Sequence, residues 1–218
     1  MTDFTAFPKI PRLNREIIVT EKIDGTNAAV VIVPWSEVDH IETNGERTLF
    51  ANDGAKVLAT FDDVVVFAQS RTRFVTPEND NYGFAAWVAR NAATLVQDLG
   101  EGIHFGEWWG SGIQRKYGLT AGKRFFSLFN TSRWEGVEFA TSGLLVVPVL
   151  YRGPFDQEEI DGVVSKLRFW GSVAMLGFGT PEGIVIYHTA SREMFKVTLE
   201  GDEKPKGTEG HKKDEEQK

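Results

Sequence analysis

Short apolar runs rich in β-branched residues recur along the sequence, separated by glycine-bearing or polar connections, which is typical of β-strands. Helical periodicity occurs in only two long segments, 81–99 and 157–170, and these do not alternate regularly with the strands. The pattern therefore predicts an α+β fold with mainly antiparallel sheets and flanking helices. The predicted strands are 16–21, 27–33, 64–69, 102–108, 124–129, 144–150, 183–187 and 193–199, and Asn44-Gly45 predicts a hairpin tip between Asp39 and Phe50.

The composition bounds the class of protein. The sequence has no cysteine, which excludes disulfides and thiolate metal sites. It has no apolar run of about 18 residues, so we expect no membrane span and interpret the chain as a soluble, cytoplasmic monomer. Residues 1–199 predict one domain, whereas 200–218 are polar, lack aromatic residues and predict a disordered tail.

The net charge of -7 argues mildly against a nucleic-acid partner, because phosphate binding usually requires a basic surface. Bases nevertheless occur in pairs that could form a local basic groove on an acidic protein. Each pair alone is equally consistent with solvated surface charge. The pairs are Arg12 and Arg15, Arg71 and Arg73, Arg115 and Lys116, and Lys123 and Arg124.

One tetrapeptide, Lys22-Ile23-Asp24-Gly25, lies between the first two predicted strands. Glycine at its end permits a close approach of the backbone to a ligand. A lysine at the end of a rigid strand is positioned for nucleophilic attack. The alternative is a plain turn with Lys22 in solvent.

Three further charged residues lie at or near predicted strand ends. Glu107 is followed by two tryptophans and flanked by glycines, and Glu182 precedes the strand at 183–187. Lys196 lies on the next predicted strand, so pairing of these two strands as a hairpin would let Glu182 and Lys196 converge on one pocket. Each residue alone is also consistent with a surface charge at a strand end.

Taken together and in order, these segments resemble the motif set of the covalent lysyl-nucleotidyltransferases, which comprise DNA ligases, RNA ligases and mRNA capping enzymes. The segment FGEWWGSGIQRKYG at 105–118 is most similar to the nick-sealing RNA ligases of phage and protist origin. The resemblance spans about 16–199 and implies a nucleotidyltransferase domain of ATP-grasp-like fold. The matching positions are 22–25, 70–72, 105–107, 125–130, 182–183 and Lys196.

The resemblance implies a role for each residue toward the nucleotide. Lys22 would attack the α-phosphate of ATP and become a lysyl-AMP. Glu21 resembles the residue that reads the adenine amino edge, and Phe129 the aromatic that stacks on adenine. Arg71 resembles the arginine that contacts the ribose and later the substrate phosphate, and Asn27 an asparagine near the nucleotide.

The resemblance also implies a divalent cation, Mg²⁺ or Mn²⁺. Asp24, Glu107 and Glu182 resemble the acids that surround the hydrated ion at the α-phosphate, and Glu107 also the residue that touches the ribose. Lys196 resembles the lysine that neutralises this phosphate. A free lysine has a pKa of about 10.4, and a nearby cation and a second lysine both lower the pKa of the attacking amine.

The implied activity is ATP-dependent joining of RNA 5′-phosphate and 3′-OH ends, with RNA in nicked or splinted form and an accessory protein as candidate partners. A phage-encoded enzyme acting in the host cytoplasm is one candidate origin. The alternatives are a minimal ATP-dependent DNA ligase, a capping enzyme and a non-catalytic nucleotide or nucleic-acid binding module. Three features depart from the family: Met194 replaces a lysine, Asn130 replaces an aspartate, and too few residues follow 199 for an appended OB domain.

Overall fold

The structure is a computed structural model of the chain, and it describes residues 4–43, 46–50, 57–61, 63–80 and 82–201. Its helices are α1 (Phe84–Leu99), α2 (Thr131–Trp134) and α3 (Gln157–Trp170) within this described part. The strands, in chain order, are β1 (Glu16–Lys22), β2 (Thr26–Pro34), β3 (Asp39–Thr43), β4 (Glu46–Phe50), β5 (Ala59–Phe61), β6 (Val64–Ser70), β7 (Phe74–Val75), β8 (Gly102–Gly110), β9 (Arg124–Leu128), β10 (Leu144–Val146), β11 (Val149–Pro154), β12 (Gly183–His188) and β13 (Glu193–Thr198).

The described residues group into two compact units. One, the Lys22 unit, contains 4–22 and 148–201, and the other, the Glu107 unit, contains 23–147. The chain passes from the first unit to the second directly after Lys22 and returns before Pro148. The Lys22-Ile23-Asp24-Gly25 segment therefore contributes its lysine to one unit and its aspartate and glycine to the other.

The Lys22 unit is an antiparallel sheet in the order β11-β1-β12-β13, with α3 packed on one face. Alternate residues of the central strands face the helix, since successive side chains on a strand point to opposite faces. The helix begins at Asp156, whose carboxylate accepts a hydrogen bond from Glu158 N at 2.8 Å. The apolar contact joins Ile17, Val19, Ile184 and Ile186 of the sheet to Ile160, Val163 and Leu167 of α3.

The Glu107 unit is a mixed sheet in the order β10-β9-β8-β2-β6-β5, in which β7 also pairs with β6. Its pairs are antiparallel apart from the parallel pair of β9 and β10. The apolar face of α1 covers one face of this sheet and forms the larger core. The hairpin of β3 and β4 forms a separate two-stranded sheet.

The α+β class, the mainly antiparallel sheets and the helix at 157–170 are confirmed. The strands on either side of Asn44-Gly45 pair as a hairpin, although that dipeptide and residues from 202 onward lie outside the described residues. The single domain predicted for 1–199 stays a prediction. In the part of the chain that the structure describes, no helix is long and apolar enough to cross a membrane.

Two predicted boundaries were wrong. The run 144–150 is not one strand: β10 pairs with β9 in the Glu107 unit, and β11 pairs with β1 in the Lys22 unit. Pro148 separates the two strands because it has no N–H group to donate to a neighbouring strand. Its carbonyl oxygen accepts a hydrogen bond from Glu21 N at 3.0 Å. Helix α1 begins at Phe84 rather than at 81, because its N-cap Gly83 has a left-handed φ of 71°. The Asp80 carboxylate accepts from Ala85 N in the first turn at 2.6 Å.

Candidate active site

Lys22 is the last residue of β1 and lies opposite Gly183 of β12. Its Nζ atom lies 2.5 Å from Oε2 of Glu182, the residue that precedes β12, and both side chains are largely buried. A Cβ atom on Gly183 would overlap the carbonyl oxygen of Val197, so a glycine permits the close pairing of β12 with β13. The end of this sheet therefore presents an amine and a carboxylate in direct contact.

Lys196 lies on the same face of the sheet as Lys22. It pairs in register with Val185, two residues beyond Gly183, which separates the two lysine Cα atoms by about 12 Å. Strands β12 and β13 do pair as a hairpin, and the convergence of Glu182 and Lys196 on one pocket stays a prediction. Among the described residues, however, the exposed Lys196 side chain has no hydrogen bond or ion pair, with Glu182 or with any other residue. Met194, which replaces a family lysine, is 69% exposed on the same face.

Glu21 points to the opposite face of the strand from Lys22, because the two residues are adjacent on β1. Its buried carboxylate accepts hydrogen bonds from Ser172 Oγ at 2.6 Å, Val173 N at 2.7 Å and Ala174 N at 2.8 Å. Burial raises the pKa of Glu21, although the three donors oppose this effect. The carboxylate therefore anchors the loop after α3, and its expected role in reading adenine stays a prediction.

In the Glu107 unit, backbone contacts hold Asp24 and Gly25 in place. Gly25 N donates to Oε1 of Glu107 at 3.0 Å, and a Cβ atom on Gly25 would overlap the Trp108 carbonyl oxygen. Asp24 N donates to the Tyr117 hydroxyl at 2.8 Å, and Arg115 Nε lies 3.0 Å from the Asp24 carboxylate. The expected metal-binding carboxylate of Asp24 is thus an ion-pair partner of a guanidinium.

Tyr117 and Arg115 were not among the candidate residues predicted from the sequence. Tyr117 is buried, has a positive φ of 49° and packs edge-on against Trp109 at 4.9 Å between ring centroids. Gln114 and Lys116 also have positive φ, which is uncommon for residues with a Cβ and marks a locally strained turn. The segment at 105–118 pointed to this region, but the sequence analysis assigned Arg115 no role beyond a basic pair.

Glu107 belongs to a polar row across the sheet. It lies opposite Asn27 of β2 on one side and Ser127 of β9 on the other, so the three side chains share a face. The Ser127 hydroxyl accepts a hydrogen bond from Trp109 Nε1 at 2.9 Å. Phe129 follows β9 directly and is 38% exposed, so its ring is accessible. The structure thus brings Asn27, Glu107 and Gly25 together within one unit.

Arg71 stands apart from this row. It is exposed, and its guanidinium has no polar partner among the described residues. The neighbouring cavity of about 200 Å³ is lined by Arg73 and not by Arg71, and Arg73 donates to the Asn79 carbonyl at 2.8 Å. Other residues that line the cavity include Asn27, Gln69, Ser70, Asp80 and Tyr82.

Asn130, the second departure from the family, has a structural role. It is the N-cap of α2, and its Oδ1 atom accepts a hydrogen bond from Arg133 N at 3.2 Å. Asparagine and aspartate are about equally effective N-caps, so either residue supports this turn.

Solved structures of similar fold include RNA ligases of Naegleria gruberi. A mutant Naegleria gruberi RNA ligase with ATP and Mn matches with a TM-score of 0.50 and 15% identity, covering 86% of this chain and 51% of that chain. Another mutant Naegleria gruberi RNA ligase, in its apo form, matches with a TM-score of 0.48 and 15% identity, covering 85% of this chain and 50% of that chain. This chain therefore spans about half the length of those chains, and the first likeness shows the fold alone.

A search of curated proteins finds no match. The family model described as RNA ligase matches residues 15–198, which is most of the chain and contains both units apart from the N-terminal segment and the tail. The chain belongs to the RNA ligase family.

Proposed function

We propose that the chain is an ATP-dependent RNA ligase that joins 5′-phosphate and 3′-OH ends, with Lys22 as the nucleophile. Membership of the RNA ligase family supports this activity. The observation that carries the proposal is the position of Lys22 at the end of a paired strand, with its Nζ atom 2.5 Å from Glu182. A nucleophile on a strand end has little freedom to move away from a bound phosphate.

The proposed reaction has three balanced steps. The Lys22 Nζ lone pair attacks the α-phosphorus of ATP, a P–N bond forms, the α–β P–O bond breaks and pyrophosphate leaves. An oxygen of the RNA 5′-phosphate then attacks the AMP phosphorus and releases the lysine. The 3′-OH finally attacks the 5′-phosphorus, forms the phosphodiester bond and releases AMP.

The pairing of Lys22 with Glu182 bears on the first step. An ammonium group has no lone pair, so Nζ must lose a proton before it can attack. The contact with the Glu182 carboxylate favours the charged ammonium form, so Lys22 would become nucleophilic once Glu182 engages the divalent cation instead. Lys196, on the same face of the sheet, is proposed to balance the negative charge of the α-phosphate.

The residues fit the divalent cation that the family implies. Mg²⁺ is usually held by one or two carboxylates, substrate phosphates and waters rather than by an all-protein cage. No cluster of three acidic or histidine side chains suited to a metal occurs in the described part of the chain. Within the Lys22 unit, we propose Glu182 as the carboxylate that would hold the hydrated ion. The expected roles of Glu107 and Asp24 toward the ion stay predictions, and Asp24 is paired with Arg115. The ion would offset negative charge on the phosphates.

The nucleotide contacts are also proposals. Phe129 offers an exposed ring for adenine, and Asn27 lies beside Glu107 in the polar row. The exposed guanidinium of Arg71 is proposed to meet the ribose and later the RNA phosphate. The Naegleria ligase structures with ATP and Mn, and with AMP and Mn, are consistent with an adenylate donor and a divalent cation for this chain.

The RNA substrate is proposed to be a nicked duplex or a pair of splinted strands. A complementary strand supplies proximity between the ends, and the acidic chain offers only short basic clusters for phosphate binding. RNA on the 3′-OH side is distinguished from DNA by its 2′-hydroxyl. The experiment is to form the labelled protein with ATP carrying radioactive α-phosphate, and then to add nicked duplexes with ribose or deoxyribose on the 3′-OH strand.

The expected result is transfer of label from protein to the 5′-phosphate end and faster sealing of the ribose-terminated nick. Sealing of the all-DNA nick at an equal rate would overturn the RNA assignment and favour a DNA ligase. Absence of a covalent label, with ATP still bound, would overturn the ligase proposal and favour a non-catalytic binding module.

A further inference from the structure

A cluster of exposed apolar side chains lies at the end of α3 and in the loop that follows. Phe169 and Trp170 are 77% and 78% exposed, and their rings meet edge to face at 4.7 Å between centroids. Val173 and Leu176 are exposed beside them in sequence. We call Lys166, Phe169, Trp170, Val173 and Leu176 the α3 platform. None of its members takes part in the chemistry proposed for Lys22.

The loop that carries part of the α3 platform is firmly held. The buried Glu21 carboxylate accepts from Ser172 Oγ and from two successive backbone N–H groups. Ser172 Oγ also accepts from Met175 N at 2.9 Å, and Ser172 N donates to Phe178 O at 2.8 Å. A preorganised surface loses little conformational entropy when it binds, so these bonds favour a recognition surface over a mobile loop.

The α3 platform lies at the same end of its sheet as the nucleophile, although α3 packs on the face opposite to the one from which the Lys22 side chain projects. Arg168 Nη2 donates to the Leu199 carbonyl at 3.3 Å, and Leu199 N donates to the Glu182 carbonyl at 2.9 Å. Glu182 is the residue whose carboxylate contacts Lys22. This series of contacts connects the end of α3 to the strand end where the RNA would be joined.

The α3 platform itself carries a basic side chain, Lys166, and no acidic one. The chain as a whole has a net charge of -7, yet residues 162–181 contain Lys166 and Arg168 and no aspartate or glutamate. Lys166 lies one helical turn before both Phe169 and Trp170 and is therefore their neighbour on the helix surface. Exposed aromatic rings beside basic side chains are typical of surfaces that stack nucleic-acid bases and attract phosphates.

We propose that the α3 platform binds an RNA strand next to the ends being joined, with a base stacked on Trp170 or Phe169 and a phosphate near Lys166. This inference rests on the proposed RNA ligase function. Stacking on an aromatic ring tolerates any base, so the α3 platform would strengthen RNA binding without selecting a sequence.

The test compares full-length Trp170→Ala and Phe169→Ala with Trp170→Phe, which keeps a stacking ring, and with Phe7→Ala, which removes an equally exposed aromatic from the N-terminal segment. Fluorescence anisotropy measures the dissociation constant for a labelled 5′-phosphorylated RNA strand. We expect Trp170→Ala to weaken RNA binding roughly tenfold, and Trp170→Phe and Phe7→Ala to remain close to wild type. Lys166→Gln should reduce the slope of log K against log salt by about one.

Labelling of Lys22 by ATP needs no RNA and separates the two proposals. Unchanged RNA binding in both alanine variants would overturn the α3 platform, whether or not Lys22 is labelled. Loss of RNA binding in Trp170→Ala without any labelling of wild-type protein would support the platform and contradict the ligase activity. Loss of self-association in Trp170→Ala, with RNA binding unchanged, would instead identify a contact between copies of this chain and overturn the proposal.

Discussion

The Lys22 unit and the Glu107 unit hold their ionisable side chains in different ways. In the Lys22 unit, the proposed nucleophile pairs with another side chain, Glu182, and Lys196 has no polar partner among the described residues. In the Glu107 unit, the Glu107 carboxylate accepts from the backbone of Gly25, whose neighbour Asp24 is held by Tyr117. A charged ligand can displace a side chain from its partner by rotation of that side chain. It cannot displace a backbone N–H group without moving the chain. The exchangeable pair of Lys22 and Glu182 in one unit thus contrasts with the fixed framework around Asp24 and Gly25 in the other.

The largest expected effect comes from disturbing the fixed framework at Gly25. A Cβ atom there would overlap the Trp108 carbonyl oxygen, so Gly25→Ala should displace the segment that follows Lys22. Displacement of about 1 Å reduces rates roughly a hundredfold, and we expect at least that loss in the rate of Lys22 labelling. Gly162→Ala is the matched control, because its Cβ would meet no atom and alanine favours a helix by about 1 kcal/mol. Labelling of Gly25→Ala at the wild-type rate would contradict the fixed framework.

The second prediction concerns the anchor within the Lys22 unit. Glu21→Ala leaves the backbone N–H groups of Val173 and Ala174 without their acceptor, which should lower the free energy of unfolding by roughly 1–3 kcal/mol. Glu21→Gln keeps one oxygen for these two donors, and its amide can donate to Ser172 Oγ, so its loss should be smaller. Thermal or urea unfolding measures both variants. Equal losses in the two variants would show that the anchor depends on charge rather than on hydrogen bonding.

Comparison of wild type with Glu21→Gln also predicts how the free energy of unfolding depends on pH. Because burial raises the pKa of Glu21 in the folded protein above its ordinary value of 4.5, folding favours the protonated form. The contribution of Glu21 to stability is therefore fully present below 4.5 and is lost as the pH rises through the raised pKa. The unfolding free energy of wild type minus that of Glu21→Gln should fall as the pH is increased over this range. A difference that grows with pH would contradict the direction of the shift.

A smaller effect is expected from one hydrogen bond of the framework. Tyr117→Phe removes the acceptor of Asp24 N and should lower the unfolding free energy by about 1 kcal/mol, with a several-fold slower labelling of Lys22. Tyr187→Phe is the matched control, since the Tyr187 hydroxyl has no hydrogen bond in the described part of the chain. Identical behaviour of the two variants would remove Tyr117 from the framework.

The smallest effect should occur at Asn130. Asn130→Asp keeps an N-cap oxygen for Arg133 N and should change stability by less than about 0.5 kcal/mol, whereas Asn130→Ala should cost about 1 kcal/mol. Unfolding measurements on the two variants check this. A large loss of labelling in Asn130→Asp, the residue common in the family, would show that asparagine has a role beyond the cap.

What the sequence could predict was mostly local. Helix α3 begins and ends with its own signals, Asp156 as N-cap and Gly171 after the last turn, so its bounds matched the prediction. The hairpin of β12 and β13 follows from two neighbouring apolar runs. The split at Pro148 was missed because apolar periodicity does not show which sheet a strand joins.

The framework could not be predicted because its contacts are distant in sequence. Asp24 is 91 residues from Arg115 and 93 from Tyr117, and no local pattern connects them. The same holds for Glu21 and the loop at 172–174, which lie about 150 residues apart. The resemblance to a family identified candidate side chains. Their hydrogen-bond and ion-pair partners could be identified only from the folded structure.

The most direct test of the central claim is to map the covalent adduct. Protein incubated with ATP and Mg²⁺ is digested at neutral or alkaline pH, which preserves a P–N bond, and the AMP-bearing peptide is sequenced by tandem mass spectrometry. The account predicts a single AMP group on Lys22 and its loss in Lys22→Ala. AMP on Lys196, or an adduct that persists in Lys22→Ala, would contradict the assignment of the nucleophile.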